Sequence, residues 1–290
     1  MEAMIDYQLR LSVVEFGENM RVYRNKRCLL LPNHQSVTDN TALLDTFEFR
    51  NTGNTSLWFI YGYPIFKYNP IGIGWQMHGH FFLTQGKSNR DELLHRISDH
   101  LRRLYQRCQY KWLVIFPEGG FLVPGRRASQ RFAAEHHYPY LENVLLPRTT
   151  ATLCLLQASQ TIAAETKRRN LLEYVVDLTI GYPNGEAPSF WQLLAGTWPH
   201  RQIHFYYRTY PIDTVPTESE EAFREWLFSR WTEKEEILAE FYHTGKFPGQ
   251  QLQPWFVNHS KLKILFVQLF FWAGFYLLLL LLMACLSVFR

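Results

Sequence analysis

The chain is 290 residues long, enough to bury one substantial core and carry an appendage. Its net charge of +4, from 30 basic and 26 acidic residues, is too mild for a nucleic-acid binder, so no nucleic acid is expected as a partner; it suits a protein resting on an anionic membrane face. Apolar residues make up 47% and aromatics 16%, an excess that fills a large core or meets a lipid interface, and the four cysteines, at 28, 108, 154 and 285, are too scattered for a metal site or a disulfide framework.

Residues 1–21 read as an amphipathic helix, with Ile5, Leu9, Val13 and Phe16 at helical spacing. Residues 22–247 read as one α/β domain, a mixed central sheet flanked by helices. Its first strand lies within 22–31, and a helix follows from Ser36 with Ala42, Leu43, Leu44 and Phe47 on its apolar side. Residues 50–56 are loop-like. The aromatic stretch from Trp58 to Trp75, broken by glycines and prolines, has no clean period and reads as a membrane-contacting wall or as an irregular packed segment. Phe81-Phe82-Leu83 is a short strand. Ser88 with Asp91 looks like a capping box for a helix that runs to Arg107, carrying Leu94, Ile97, Leu101 and Leu104 as a stripe. Strands are predicted at 112–116, 144–146, 174–180 and around Ile203, Phe205 and Tyr207; helices are predicted at 126–136, 153–162 and 218–241. A linker, 248–263, leads to an uncharged stretch, 264–289, longer than the ~20 residues that a transmembrane helix needs. Lys261 and Lys263 ahead of it place the bulk of the protein in the cytosol.

Two polar clusters follow apolar runs, as if spilling from the C-terminal ends of strands. In the first, His34 precedes Asp39 by five residues. An imidazole titrates near neutrality and suits a general base, and a carboxylate on its other nitrogen would fix the tautomer and stabilise the imidazolium. On a straight helix the two residues would stand about 140° apart, so the pair requires His34 in the turn before the helix. The competing reading is that Ser36-Val37-Thr38-Asp39 is a capping box and Asp39 only caps. In the second cluster Glu118 is followed by Gly119 and Gly120, which let the backbone approach a ligand closely, or simply make a turn. Arg126 and Arg127 could hold a phosphate or form a solvated face. There is no Gly-x-Ser-x-Gly and no cysteine close to a histidine, so a base at His34 would act on a substrate hydroxyl, with no acyl-enzyme.

Asn33-His34 with Asp39 resembles the His-x4-Asp motif of the glycerolipid acyltransferases, and Phe116-Pro117-Glu118-Gly119 resembles their Phe-Pro-Glu-Gly motif. Leu145-Leu146-Pro147 resembles a further block of that family. Gly120 in place of Thr or Ser, Phe66-Lys67-Tyr68, the stretch 143–148 and Tyr207-Arg208 are similar to the branch acting on lysophosphatidylglycerol. The resemblance implies transfer of a fatty acyl group from acyl-CoA to a lysophospholipid, lysophosphatidylglycerol or lysophosphatidylethanolamine, at the endoplasmic reticulum membrane. It makes His34 the base, Asp39 its orienting partner, and Glu118, Gly119 and Gly120 binders of the acceptor, with acyl-CoA as co-substrate and no cofactor or metal. The family's second block ends in an arginine that contacts the acceptor phosphate; here Phe81-Phe82-Leu83 runs on into Thr84-Gln85. Lys87 or Arg90 is then expected to reach back, with Arg126 nearby. The same departure keeps a neutral acceptor such as monoacylglycerol, and an inactive lipid-binding membrane protein, as alternatives. Relatives carry a longer membrane-embedded segment before the histidine motif, so the short N-terminus here is what a truncated form would show.

Overall fold

The computed structural model describes residues 12–49, 57–61, 76–77, 79–83, 90–107, 111–195, 197–252 and 276. These residues form a seven-stranded sheet, from β1 (Ser12–Gly17), β2 (Cys28–Pro32), β3 (Leu57–Tyr61), β4 (Phe81–Phe82), β5 (Trp112–Ile115), β6 (Tyr174–Gly181) and β7 (Gln202–Pro211), in the order β1-β7-β6-β2-β5-β3-β4. From β6 to β4 all neighbours are parallel. β7 runs antiparallel to β6, and β1 runs parallel to β7, so the sheet is mixed, as expected. The helices are α1 (Thr38–Leu43, continued by a π-helical turn, Leu44–Phe49), α2 (Arg90–Arg107), α3 (Leu122–Glu135), α4 (Thr150–Glu165), α5 (Phe190–Ala195) and α6 (Glu220–Thr244).

Strand side chains alternate between two cores. Leu29, Leu31, Leu113, Ile115 and Val175 pack with Ile97 and Leu101 of α2, Leu153 to Ile162 of α4, and Phe223, Leu227, Trp231 and Phe241 of α6. Cys28, Leu30, Trp112, Val114, Val176, Leu178 and Ile180 face the other way, onto Ala42, Leu43 and Phe47. Covered on both faces, the central strands read as unbroken apolar runs, which is why they were legible.

The same double cover explains the main departure. Ser12–Gly17 is a strand and not the end of an amphipathic helix. Val13 and Phe16 lie three apart and are both buried, but in opposite cores, so their helical spacing is a coincidence of a two-sided sheet. Glu15 is buried between them in the strand and accepts from the Tyr207 hydroxyl at 2.7 Å. Residues 1–11 lie outside the described residues.

Other boundaries moved for identifiable reasons. α3 starts at Leu122, four residues before the predicted start, because Pro124 falls in the first turn, where its missing N–H has no intrahelical partner to lose. The predicted strand at 144–146 does not form. Val144 and Leu145 are buried, but the backbone donors there go to side chains: Asn143 and Val144 to Glu235, and Leu146 to Ser129 Oγ at 2.8 Å. A strand at Leu57–Tyr61 lay unread within the aromatic stretch, and α5 was not predicted. α6 agrees closely with its prediction; the Ser219 side chain accepts from Ala222 N at 3.0 Å and fixes its start. The loop 50–56, the remaining aromatic stretch at 62–75, Lys87 and Ser88, and the predicted span 264–289 apart from Tyr276 fall outside the described residues. Among the described residues no helix is long and apolar enough to cross a membrane.

Candidate active site

β2 and β5 are hydrogen-bonded neighbours, so His34 and Glu118 emerge side by side at one edge of the sheet, as the two motifs predicted. Beyond Pro32 the Asn33 side chain takes over the ladder to β6: Nδ2 donates to Ile180 O at 3.0 Å and Oδ1 accepts from Ile180 N at 2.7 Å. This lets the chain turn at once, and His34 stands in the turn before α1.

There the two readings of Asp39 prove compatible. Its Oδ2 accepts from Gln35 N at 2.7 Å and Ser36 N at 2.9 Å, which is a cap's work, and lies 2.9 Å from His34 Nδ1. Oδ1 accepts from the Tyr182 hydroxyl, at the end of β6. Asp39 is fully buried, and these donors hold its negative charge. Burial, and then the neighbouring Asp39 charge, push the Tyr182 hydroxyl well above its ordinary value and keep it a donor. Because Oδ2 is an acceptor for two backbone amides, Nδ1 of His34 must donate to it. Nε2 therefore carries the lone pair.

The imidazole is fixed in plane by two rings, Phe116 at 3.9 Å between centroids and 23° from parallel, and Phe121 at 4.4 Å. Its side chain is 12% exposed. The second motif folds over it: Leu122 N donates to His34 O at 2.9 Å, and Gly119, at φ +66°, closes a turn onto Phe116 O. Among the described residues a Cβ placed on Gly120 would meet nothing within 4 Å. At Gly125 the reverse holds, for a Cβ would come within 2.6 Å of Leu145 Cδ1; its absence lets the 141–149 loop close onto α3.

Glu118 turns inward. It is 3% exposed, and its Oε1 accepts from Trp231 Nε1 of α6 at 3.2 Å. Burial pushes its carboxyl up to about 8, against the opposing pull of the Trp231 indole, the Leu145 and His34 amides and the Lys234 charge. Trp231 is itself backed by Lys234, whose ammonium lies over the indole at 5.0 Å and bonds Asp177 and Leu178 O. Between the ordinary carboxylate range and about pH 8 the folded protein keeps a proton that the unfolded chain has released. Stability should therefore fall as pH rises across that window, by ~1.4 kcal/mol per pH unit, and level off above it. Glu118→Gln should flatten this slope in urea titrations between pH 5 and 9; equal slopes in both proteins would place no proton on Glu118.

The predicted basic residues separate. Arg90 is engaged elsewhere, with Gln157 of α4 at 3.1 Å and Glu220 of α6 at 3.6 Å, so it does not reach back to the site. Lys87 is outside the described residues. Arg126 stays close: it lies one turn beyond Leu122, its Nε is buried without a partner among the described residues, and its charge is felt by Tyr242, whose hydroxyl accepts from Gln35 Nε2 at 2.9 Å. Among the described residues no group of histidine, cysteine and carboxylate side chains converges as a metal site requires. Tyr182 and Trp231 carried no local signal; they reach the site only through the fold.

Comparison with known proteins places this geometry. The acyltransferase family model matches residues 13–150, which contain the His34–Asp39 and Phe116–Gly119 motifs, and the acyltransferase C-terminus model matches residues 192–272. Acyl-CoA:lysophosphatidylglycerol acyltransferase 1 of Homo sapiens is 34% identical over 251 residues, 82% of this chain and 66% of that protein. The Mus musculus protein of the same name is 35% identical over 254 residues, 83% of this chain and 68% of its own length. Lysocardiolipin acyltransferase 1 of Gallus gallus is 34% identical over 217 residues, 70% of this chain and 53% of that protein. The chain thus spans about two thirds of the length of the two lysophosphatidylglycerol acyltransferases. With the histidine and glutamate motifs on adjacent strands and this degree of identity, the chain belongs to the glycerolipid acyltransferase family.

Proposed function

We propose that the chain is an acyl-CoA-dependent lysophospholipid acyltransferase, with lysophosphatidylglycerol or lysophosphatidylethanolamine as acceptor, acyl-CoA as co-substrate and no cofactor. The observation that carries this is the His34–Asp39 pair: Nδ1 is tied to a buried carboxylate and Nε2 is left as the base. Nε2 takes the proton of the acceptor's glycerol hydroxyl as that oxygen attacks the thioester carbonyl. Asp39 stabilises the imidazolium. The tetrahedral intermediate expels the coenzyme A thiolate, which recovers the proton from His34, and no acyl-enzyme forms. Glu118 acts mainly by position: a neutral, buried carboxyl packed on Trp231 sets the turn that carries Gly119 and Gly120 to the acceptor. The uncharged segment 264–289 anchors the domain to the endoplasmic reticulum membrane with its site facing the cytosol.

Thr84-Gln85, where the family carries an arginine, favours a second reading in which the acceptor is uncharged. Release of free coenzyme A by the purified full chain, measured with oleoyl-CoA and a panel of acceptors, decides. The expected result is acceptor-dependent release, fastest with lysophosphatidylglycerol or lysophosphatidylethanolamine. Preference for monoacylglycerol would install the second reading, and no turnover with any acceptor would leave an inactive lipid-binding protein.

A further inference from the structure

With Arg90 drawn away, the site needs another cation for the acceptor, and the fold brings one from the loop after β5 and α3. Arg148 N donates to Pro117 O at 2.8 Å, which pins residue 148 against the Pro117-Glu118-Gly119 turn. The side chain then lies along that turn. A Cβ on Gly119 would meet Arg148 Cδ and Nε at 3.4 Å and Cζ at 3.5 Å. These are ordinary van der Waals distances, so the Arg148 stem packs on the turn, and what calls for glycine at 119 is its positive φ of +66°. Arg148 is exposed, and among the described residues its side chain makes no hydrogen bond or ion pair. It is therefore an uncompensated cation, held at the backbone of the loop whose Phe116 ring stacks on His34.

Building on the lysophospholipid reading, we infer that Arg148 grips the acceptor's phosphodiester beside His34, in the role the family gives to an arginine after the Phe81-Phe82 block. A guanidinium offers two parallel N–H donors to one phosphate, which fixes orientation as well as charge. The choice of phosphate follows from the chemistry. In a lysophospholipid the reacting hydroxyl and the phosphodiester share one glycerol and are separated by a handful of bonds. In acyl-CoA the phosphates lie a whole pantetheine arm from the thioester. A cation on the turn next to the base is in reach of the first and not of the second. Arg126, on the Gln35–Tyr242 side, adds positive potential from across the site.

The test separates the two substrates in the purified full chain. Arg148→Met should raise the KM for lysophosphatidylglycerol about tenfold or more and leave the KM for oleoyl-CoA within about twofold. Arg148→Lys should fall between, since lysine keeps the charge and loses the fork. An unchanged acceptor KM in an active Arg148→Met protein overturns this assignment alone, and so does a rise confined to oleoyl-CoA, which would give the cation to coenzyme A. Wild-type protein that acylates monoacylglycerol and no lysophospholipid overturns both the assignment and the reading beneath it.

Discussion

Replacing His34 with alanine should lower acyl transfer by ~10²–10⁴-fold, the range that a positioned general base supplies, and the protein should remain folded. Both halves follow from the geometry. Among the described residues no other imidazole stands at this turn, and Nε2 is the lone pair that the Asp39 contact leaves free to take a proton. The fold survives because Asp39 keeps three of its four donors, Gln35 N, Ser36 N and the Tyr182 hydroxyl, so no buried charge is orphaned. What is lost is a ring stacked on Phe116 and Phe121, worth on the order of 1–3 kcal/mol. The melting temperature should then fall by roughly 2–4 °C for each kcal/mol lost in a chain of this size. The measurement is acceptor-dependent release of coenzyme A alongside thermal melting. A folded His34→Ala protein working at the wild-type rate would remove the base mechanism.

What was legible in the sequence is what is local. Cys28 to Leu31 and Trp112 to Ile115 are buried on both faces, so their strands announced themselves as apolar runs, and a motif at the end of each put His34 and Glu118 together. The contacts that complete the site span far longer separations. Tyr182 lies 143 residues from Asp39, and Trp231 lies 113 from Glu118. Each arrives because β6 pairs with β2 and α6 packs on β6, and no periodicity states that. Arg148 was visible only as the end of an apolar block. Its meaning depends on a backbone bond to Pro117 and on a side chain that lies along the Gly119 turn. β1 failed for the opposite reason: Val13 and Phe16 gave a clear local pattern, and the two-sided sheet gave it a different cause.

Asp39 separates a cap from a catalytic partner, and substitutions there should be graded. In Asp39→Asn the amide oxygen is expected to occupy the Oδ2 position, because Gln35 N and Ser36 N both point donors at it and an NH2 group there would meet two N–H groups head on. The turn and the His34 tautomer are then retained, and the NH2 group faces the Tyr182 oxygen, which can accept. The missing element is the negative charge beside the imidazolium. A charge-assisted hydrogen bond is worth roughly 1.5–3 kcal/mol, so kcat should fall by about 10–150-fold with the acceptor KM little changed. Asp39→Ala goes further: it strands two backbone amides and a buried hydroxyl at ~1–3 kcal/mol each, enough to unfold much of the protein. Tyr182→Phe removes one donor and leaves Oδ2 and His34 in place, so its loss should stay below about tenfold. Were Asp39 only a cap, Asp39→Asn would be as active as wild type, since every backbone contact survives in it. A kcat loss at constant melting temperature identifies the carboxylate as the partner of His34.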